Sequence, residues 1–419
     1  MGRNVGGHRE ERASHRRHVA VTKTALAGLR VIELCEMIAG PYCGKVLADL
    51  GAEVVKVEEP GRGDPARGTG PFPEDIPHRE RSGLFLYLNT NKLGVTLDVA
   101  TSSGRRLLRE LLREADVLVE DLPPGRSEAL GLGPEALREA HPELIVTSIT
   151  PFGVSGPYRD WRTYHLNLYH GSGHSSFIYQ DPREVVGGPL VGGGYIGEYD
   201  AGLAAALATL GAVLGRLRTG RGQQVEVSKL EALVALERVE VNRFANDHTP
   251  VRFPGMVGGL VRSRDGYVVI TAAQDQQWKG LVQVMGNPPW SQEEMCRDEI
   301  SRAQHRDEIQ PYIEEWVARY ASDEIYRCAQ EGSVPVGPVR TVAEVTAWEQ
   351  ARQRGFFAEI EHPEAGRLEY PTAAYRFSKT PWRAERAAPL LGQHNDEVYC
   401  GWLGHSRRDL ARLSAAGVI

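Results

Sequence analysis

Cysteine is scarce in this sequence, and the few cysteines present have no recognisable partners. Five occur in 419 residues, and they are Cys35, Cys43, Cys296, Cys328 and Cys400. No two of them form a Cys-x-x-Cys pair, and an odd number cannot all be bridged, which excludes a disulfide scaffold and argues against a structural zinc site. Unpaired cysteines are typical of a reducing compartment, so we predict a cytoplasmic protein.

The short motifs of several large enzyme classes are also missing. The first apolar run is followed by Cys35–Tyr42 and lacks the Gly-x-Gly-x-x-Gly of a nicotinamide site. The sequence contains no phosphate-binding P-loop, no His-Glu-x-x-His zinc pair and no Gly-x-Ser-x-Gly nucleophile elbow. His165, His170 and His174 lie in a Gly/Ser-rich stretch without the spacing of metal ligands. We therefore predict neither a metal nor a nicotinamide cofactor.

Neither charge nor hydropathy favours nucleic acid or a membrane as a partner. The formal net charge is −6, so the chain as a whole does not attract polyanions. An excess of basic residues occurs near the amino end, which lacks the apolar core of a signal peptide, and we predict a mobile arm over residues 1–24. The longest apolar stretch, Ala201–Leu217, is interrupted by glycines and falls short of the roughly 20 continuous apolar residues of a membrane helix.

Apolar runs alternate with helical patterns in the first half of the chain. Leu29–Leu34 and Ala52–Glu58 have the pattern of buried strands, with a helix beginning near Gly40 between them, which is a β-α-β unit. Further strands are predicted at 95–99, 116–120, 144–149 and 223–227. Strands separated by helices imply a parallel sheet with right-handed crossovers, and such a sheet usually binds ligands at the carboxyl ends of its strands.

Ten short phrases stand in a fixed order between about residue 26 and residue 404. They are Leu29–Leu34 with Ala39–Pro41, Leu50–Glu58, Gly63–Pro65, Asn89–Lys92, Ala115–Glu120, Gly153–Tyr158, Thr219–Gln223, Pro335–Pro338, Arg354–Phe357 and Ala388–Asn395. Together and in this order they resemble the class III CoA transferases, the family of formyl-CoA transferase, carnitine CoA transferase and the α-methylacyl-CoA racemases.

The resemblance implies an α/β fold with a large Rossmann-like domain and a smaller α+β domain, assembled as an interlocked homodimer. The large CoA-binding domain is predicted over 25–225, the small domain with its linkers over 226–335, and a segment that returns to the large domain over 336–419. Coenzyme A enters as the substrate acyl-CoA, with its nucleotide on the large domain and its thioester near the dimer interface. The other implied partner is a small carboxylate acceptor.

The implied transfer chemistry needs one dry, unpaired carboxylate beside the thioester. Such a carboxylate can attack the carbonyl, expel CoA thiolate and form a mixed anhydride, into which an acceptor acid exchanges. The phrase Gly197–Leu203 matches the place of the family's nucleophilic Asp, and by register Glu198 takes that position. Asp200 is the fallback nucleophile, out of register. The same two acids would also be expected at an ordinary helix start, where negative charge is favoured.

The resemblance also assigns residues to CoA binding. They are Met37, Ala39, Lys92, Asp121 and Leu122. Arg62, Arg67 and Arg126 are no part of the family match, and we predict them as basic residues that compensate for lost ones. Three positions depart from the family pattern, because Asp121 stands where Asn is common and because Glu59 and Ala129 stand where basic residues are common. These departures weaken the expected attraction for phosphate.

Two alternatives to transfer stay open at this point. Racemisation or isomerisation at Cα of an acyl-CoA needs a second proton-exchanging group; the family's racemases carry a His at the position of Tyr164, and His165 follows one residue later. A non-catalytic CoA-binding subunit that stabilises a paralogous partner is the other, since Glu198 replaces Asp and basic positions are lost. The leading prediction is an acyl-CoA:carboxylate CoA transferase that acts through a carboxylate anhydride and an enzyme thioester.

Overall fold

The computed structural model describes residues 24–175, 190–236, 238–248 and 257–419. Of the arm predicted over 1–24, only Thr24 falls within this part. The described chain divides into two compact units. The first holds the residues up to Val241 together with Phe356–Ile419, and the second holds Asn242–Gly355.

A six-stranded sheet forms the centre of the first unit. Its strands are β1 (Arg30–Leu34), β2 (Glu53–Glu58), β3 (Lys92–Thr96), β4 (Val117–Glu120), β5 (Ile145–Thr150) and β6 (Gln224–Ser228). Their order is β3-β2-β1-β4-β5-β6, and every neighbouring pair is parallel. The order reverses between β1 and β4, which is the switch point where sheets of this kind bind ligands. The predicted α/β fold with a parallel sheet is confirmed.

Helices cover both faces of this sheet. They are α1 (Ala39–Asp49), α2 (Gly83–Leu88), α3 (Ser102–Glu114), α4 (Arg126–Ala129), α5 (Pro134–Ala140), α6 (His165–Gly171), α7 (Ile196–Thr219), α8 (Lys229–Leu236) and α9 (Arg238–Asp247), the last of which crosses into the second unit. Successive strand residues point to opposite faces. Val31 accordingly lies in the apolar cluster with α1 and α7, while its neighbour Ile32 lies in the cluster with α3.

Small residues let α7 lie close against α1. The buried residues of α7 are Gly197, Ala201, Gly202, Ala205, Ala206, Thr209 and Ala212. A side chain at Gly202 would place its Cβ only 2.5 Å from the Ala39 carbonyl oxygen, so glycine is required there. Among the described residues, α7 is also the one helix long and apolar enough to cross a membrane, a test that core helices of soluble proteins pass as well.

The second unit has its own small sheet and core. Its strands are β7 (Gly258–Arg262), β8 (Tyr267–Thr271) and β9 (Val336–Pro338), paired antiparallel in that order. Its helices are α10 (Asp275–Val284), α11 (Glu299–Gln304), α12 (Arg306–Val317), α13 (Ser322–Glu331), α14 (Val342–Ala347) and α15 (Glu349–Gln353). Trp278 on α10 and Ile313 on α12 are buried in one apolar cluster with β8.

The carboxyl-terminal segment completes the first unit. It contains an antiparallel hairpin, β10 (Phe357–His362) with β11 (Gly366–Pro371), and a last helix, α16 (Arg407–Ala415). Val398 and Tyr399 are fully buried against the α3 face of the sheet. The unit boundaries differ from the predicted ones, because β6 pairs within the large sheet and β9 pairs within the small one. The chain therefore leaves the first unit after Val241 and not after 225, and it returns at Phe356 and not at 336.

Candidate active site

Glu198 lies in the first turn of α7. Its position is set by the residue before the helix and by close packing against α8. Tyr195 precedes the helix in the left-handed conformation, with φ of 59°, and its carbonyl accepts a hydrogen bond of 2.9 Å from the Glu198 amide. Gly197 faces α8, where an added Cβ would lie 2.8 Å from a methyl of Leu233. Glycine at this position therefore lets the start of α7 approach α8, and Glu198 is carried toward that helix.

The Glu198 carboxylate is paired with Lys229, the first residue of α8. The distance from Lys229 Nζ to Glu198 Oε2 is 2.7 Å, and the side chains are 17% and 13% exposed respectively. The expectation of an unpaired carboxylate at this position is therefore wrong. Lys229 is one turn before Leu233, so the close packing of Leu233 on Gly197 places the ammonium group beside the acid.

His165 stands near this ion pair, at the start of α6. Its ring is 5.6 Å from the ring of Tyr195 and 5.8 Å from that of Tyr169, centroid to centroid. Among the described residues, neither ring nitrogen has a hydrogen-bond partner, and both are buried. Burial lowers the pKa of His165 below its usual value; the Glu198 carboxylate opposes this shift and the Lys229 ammonium adds to it.

Asp200 and Tyr164 occupy different surroundings. Within the described part of the chain, Asp200 Oδ2 is buried without a hydrogen-bond partner. Burial raises the pKa of Asp200, and His174 opposes the rise. The side chain of Tyr164 is 83% exposed, and its backbone N–H donates to Asn167. The residue that matches the racemase His position thus points into solvent, while His165 lies beside Glu198.

A cleft of about 410 Å³ lies at the carboxyl ends of β1, β2, β3 and β4, across the switch point of the sheet. Its charged lining residues are Glu36, Glu58, Glu59, Asp64, Asp98, Asp121, Arg62 and Arg126. Carboxylates therefore outnumber guanidinium groups along its walls. The position suits a nucleotide, and the two arginines are the cations of this lining that can meet phosphate.

Lys92, predicted to bind a CoA phosphate, is instead fully buried at the start of β3. Its ammonium group contacts Glu33 Oε2 at 2.7 Å, the Pro41 carbonyl at 2.8 Å and the Asn89 side chain at 2.9 Å. Burial lowers its pKa to about 8, and the Glu33 carboxylate opposes that shift. All three donors have acceptors inside the protein, so the predicted phosphate contact is wrong.

Arg67, predicted as a compensating basic residue, is also buried. Its guanidinium bonds both oxygens of Glu58, at 2.7 and 2.8 Å, and contacts Glu80 at 2.5 Å and the Pro389 carbonyl at 3.0 Å. The group also lies over the ring of Phe85, 3.7 Å from its centroid. These contacts occupy the guanidinium fork, so a phosphate role for Arg67 is wrong as well.

The other residues predicted for CoA binding gather after β1, β2 and β4. Met37 has a left-handed backbone with φ of 62°, and its amide donates to Asp64. Asp121 accepts the Glu36 amide with both carboxylate oxygens, at 3.1 and 3.2 Å. The remaining three are Ala39, buried at the start of α1, Leu122, which lines the cleft, and Arg62, which lines the cleft and pairs with Glu59.

The sequence as a whole matches the profile of CoA-transferase family III over residues 26–395. The chain belongs to this family. It is 32% identical over 401 residues to the succinyl-CoA–D-citramalate CoA-transferase of Chloroflexus aurantiacus, covering 94% of this chain and 98% of the relative. It is 31% identical to the succinyl-CoA–L-malate CoA-transferase alpha subunit of the same organism, covering 94% and 92%.

A solved structure has the same fold as this CoA transferase. It is a crystal structure of a CAIB/BAIF family protein from Brucella suis, with a TM-score of 0.79 and 27% identity, covering 91% of this chain and all of that one. Family and relatives together confirm the prediction of a class III enzyme that transfers CoA between an acyl-CoA and a carboxylate.

Lys229 is the residue of this transferase that the sequence analysis missed. It begins α8 directly after Ser228, whose Oγ accepts a hydrogen bond of 3.2 Å from the Glu231 amide. Lys229 lies 31 positions from Glu198, so no local spacing connects them.

Among the described residues, no group of three or more His, Cys, Asp or Glu side chains could hold a metal ion.

Proposed function

We propose that this CoA transferase works through a covalent anhydride on Glu198. A carboxylate oxygen of Glu198 attacks the carbonyl carbon of acyl-CoA, the carbon–oxygen bond forms, and the carbon–sulfur bond breaks with its electron pair going to CoA sulfur. The thiolate then attacks the glutamyl carbonyl to release the donor acid and leave a glutamyl-CoA thioester. An acceptor carboxylate takes the same route in reverse and leaves as the new acyl-CoA.

The observation that supports this proposal is the position of Glu198 in the first turn of α7. The helix dipole places partial positive charge at the amino end of a helix, which stabilises an anion there. The side chain is only 13% exposed, which limits the access of water to an anhydride. Among the described residues, the hydrogen bond to the carboxylate goes to Oε2, so Oε1 keeps its lone pairs for attack.

Trapping of the intermediate tests the proposal directly. The enzyme is incubated with succinyl-CoA, the donor named for both relatives above, and treated with borohydride or hydroxylamine. We expect mass spectrometry to find the modification on Glu198, because thioesters and anhydrides of the side chain react with both reagents. An unmodified Glu198 during verified turnover would contradict the assignment, and modification of Asp200 would support the fallback nucleophile.

Asp200 is the second candidate because its Oδ2 is buried without a hydrogen-bond partner among the described residues. Burial raises its pKa, so it binds a proton more readily than an ordinary Asp. Glu198 remains the first candidate because by register it takes the position of the family's nucleophilic Asp, whereas Asp200 is out of register. Kinetics of Asp200→Asn distinguish the two: we expect a decrease of about tenfold or less, whereas loss of the nucleophile abolishes turnover.

The Cα alternative and the non-catalytic alternative are outcomes of the same assays. Solvent deuterium that enters the acyl group without CoA exchange would indicate isomerisation, with His165 as the proton-exchanging group. A purified single chain without any turnover would indicate a partner subunit, and the alpha-subunit relative makes a paralogous chain the first partner to add. We expect neither result, because the family and the named relatives support transfer of CoA between an acyl-CoA and a carboxylate.

We further propose that the enzyme is a homodimer. Leu203, Leu207, Leu214 and Leu217 lie on one face of α7, and each is more than half exposed within this chain. An apolar stripe of this kind is typically covered by another protein surface, and a second copy is the partner that the family resemblance implies. Light scattering is expected to give twice the chain mass, and Leu207→Glu to give a smaller species; a wild-type monomer would contradict this.

A cytoplasmic location stays a prediction. All five cysteines lie in the described part of the chain, and all are free. Free thiols fit a reducing compartment, as the sequence indicated. Cell fractionation with an antibody against the chain is the measurement.

A further inference from the structure

The ion pair between Glu198 and Lys229 poses a chemical problem for an enzyme whose nucleophile is Glu198. A carboxylate bound to an ammonium group is a weaker nucleophile than a free one, because the cation stabilises the negative charge that the oxygen loses when it forms the new bond. Lys229 contacts Glu198 through a single carboxylate oxygen, and both side chains keep some exposure, so this pair is bound less completely than a fully buried one. Lys229 therefore needs a role in the reaction itself.

The surroundings of Lys229 show where its charge acts. Besides Glu198, its ammonium group influences Asp121, which lines the cleft at the carboxyl end of β4. Burial raises the pKa of Asp121 well above its usual value, and Lys229 is the strongest charge that opposes this rise. The ammonium group is thus electrostatically coupled both to the nucleophile on α7 and to the wall of the cleft, with His165 also within its field.

We propose that Lys229 is the counter-ion of both anions in the reaction. Its ammonium group pairs with the Glu198 carboxylate before attack and with the CoA thiolate after the carbon–sulfur bond breaks. Before attack, one anion is present, the carboxylate; after attack, Glu198 is a neutral anhydride and the one anion is the thiolate. The ammonium group keeps all of its protons and changes partner. No proton is transferred, and the charges balance in each step.

Lys229 therefore stabilises the carboxylate in the ground state and the departing thiolate in the transition state. The negative charge moves from oxygen to sulfur during attack, and a cation that contacts the attacking carboxylate is close enough to stabilise the charge as it moves. Without it, the thiolate would form in a partly dry site without a cation among the described side chains that contact Glu198. The inference rests on the proposed role of Glu198 and adds the residue that receives the departing charge.

The test compares Lys229→Met, Lys229→Arg and Lys229→Ala in the full-length enzyme with succinyl-CoA. We expect Lys229→Met to lower kcat by about 10² to 10³-fold while KM changes less than about threefold, which is typical of the loss of a group that acts in the transition state. Lys229→Arg keeps the cation and is expected to retain activity within about tenfold. Added ethylammonium is expected to restore Lys229→Ala in a saturable way.

A matched control lies on α7, the helix that carries Glu198. Arg216 near the end of α7 pairs with Asp116 at 3.1 Å, with side chains 17% and 14% exposed, nearly the values of the Lys229 pair. Arg216→Met removes a comparable ion pair away from the site and is expected to leave kcat within about twofold. A parallel loss in both variants would indicate a structural effect and contradict the proposal.

Two results separate this inference from the proposed function. If Lys229→Met turns over at the wild-type rate while Glu198 is still trapped as the acylated residue, the counter-ion role is wrong and the nucleophile stands. If Glu198 is never trapped in the wild type during turnover, the proposed nucleophile is wrong, and the counter-ion role that depends on it is wrong as well. Rescue by ethylammonium of Lys229→Ala, but not of Glu198→Gln, supports both.

Discussion

Two groups of opposite charges lie in the first unit, and they differ in how completely each charge is bound. In the buried group, Glu33, Lys56 and Lys92 are all 0% exposed. Each lysine has three acceptors: Lys92 those named above, and Lys56 the side chains of Glu33 and Asp64 and the Cys35 carbonyl. In the site, Lys229 contacts one oxygen of Glu198, and both side chains retain some exposure.

The difference shows how the same residue types serve either structure or chemistry. A charge with every donor and acceptor occupied has no capacity left for a ligand, and its removal strands the opposite charge in a dry interior. A carboxylate bound through one oxygen keeps a free lone pair and a path to the substrate. Substitutions in the first group should therefore change stability, and substitutions in the second should change turnover.

The largest effect is expected from Glu198→Gln. The amide cannot form the anhydride, so we expect kcat/KM to decrease about 10⁴-fold or more, at least about 5 kcal/mol of transition-state stabilisation. The side chain keeps its shape, so the unfolding midpoint should change little. Steady-state kinetics and urea denaturation of the same preparation measure both. Substantial residual turnover that resists repurification would show that the carboxylate is not the nucleophile.

The next effect belongs to the buried group. Lys92→Met leaves Glu33 with a single cation and removes the donor from the Pro41 carbonyl and the Asn89 side chain. Breaking a buried pair in this way costs about 3 to 5 kcal/mol of unfolding free energy. Lys229→Met removes a pair that keeps some exposure, 17% and 13%, and is expected to cost about 1 to 2 kcal/mol, because water still reaches both groups. Chemical denaturation of both variants gives the comparison. Equal losses of unfolding free energy in the two variants would mean that the buried group and the site pair contribute to stability in the same way.

This buried group also marks the limit of what the sequence could predict. The order of strands and helices follows from apolar periodicity, and β1, β2, β4 and β5 lie within a residue or two of their predicted bounds. β3 begins three residues earlier than predicted, at Lys92, because a lysine interrupts the apolar pattern although it is buried beside Glu33. Burial of a charge depends on a partner 59 positions away, which periodicity does not detect.

The candidate site was predictable to the same extent and for the same reason. The family resemblance placed a carboxylate near the start of α7, but the helix begins at Ile196, so Glu198 lies inside its first turn and not before it. The partner of that carboxylate follows from how Gly197 lets α8 approach, which is a property of the packed structure. Lys92 was assigned to phosphate by its match to a family phrase, and the arginines were assigned by residue type. The structure shows that Lys92 and Arg67 are internal while Arg62 lies on the cleft.

A smaller effect is expected from Glu198→Asp, which keeps the charge and shortens the side chain. The carboxylate moves back by roughly an ångström, away from Lys229 and from the thioester, and a displacement of that size can cost about 10²-fold in rate. This corresponds to about 2.7 kcal/mol. Pre-steady-state measurement of CoA release isolates the attack step. Wild-type release from this variant would show that the length of the side chain is not adapted to Lys229.

The smallest effect concerns the cleft, whose walls carry more carboxylates than guanidinium groups. With Lys92 and Arg67 bound internally, Arg62 and Arg126 are the cations of its lining, and Arg62 already pairs with Glu59 at 3.1 Å. Such a wall gains little from an additional phosphate, so succinyl-CoA and its 3′-dephospho analogue should differ in kcat/KM by less than about threefold, or roughly 0.6 kcal/mol. Glu59→Arg reverses one charge and should widen the preference for succinyl-CoA, most clearly at low salt, where screening is weak. A large preference of the wild type for succinyl-CoA over the dephospho analogue, insensitive to salt and to Glu59→Arg, would mean that the phosphate is bound away from this cleft. The contrast between internal and available charges would then not extend to substrate recognition.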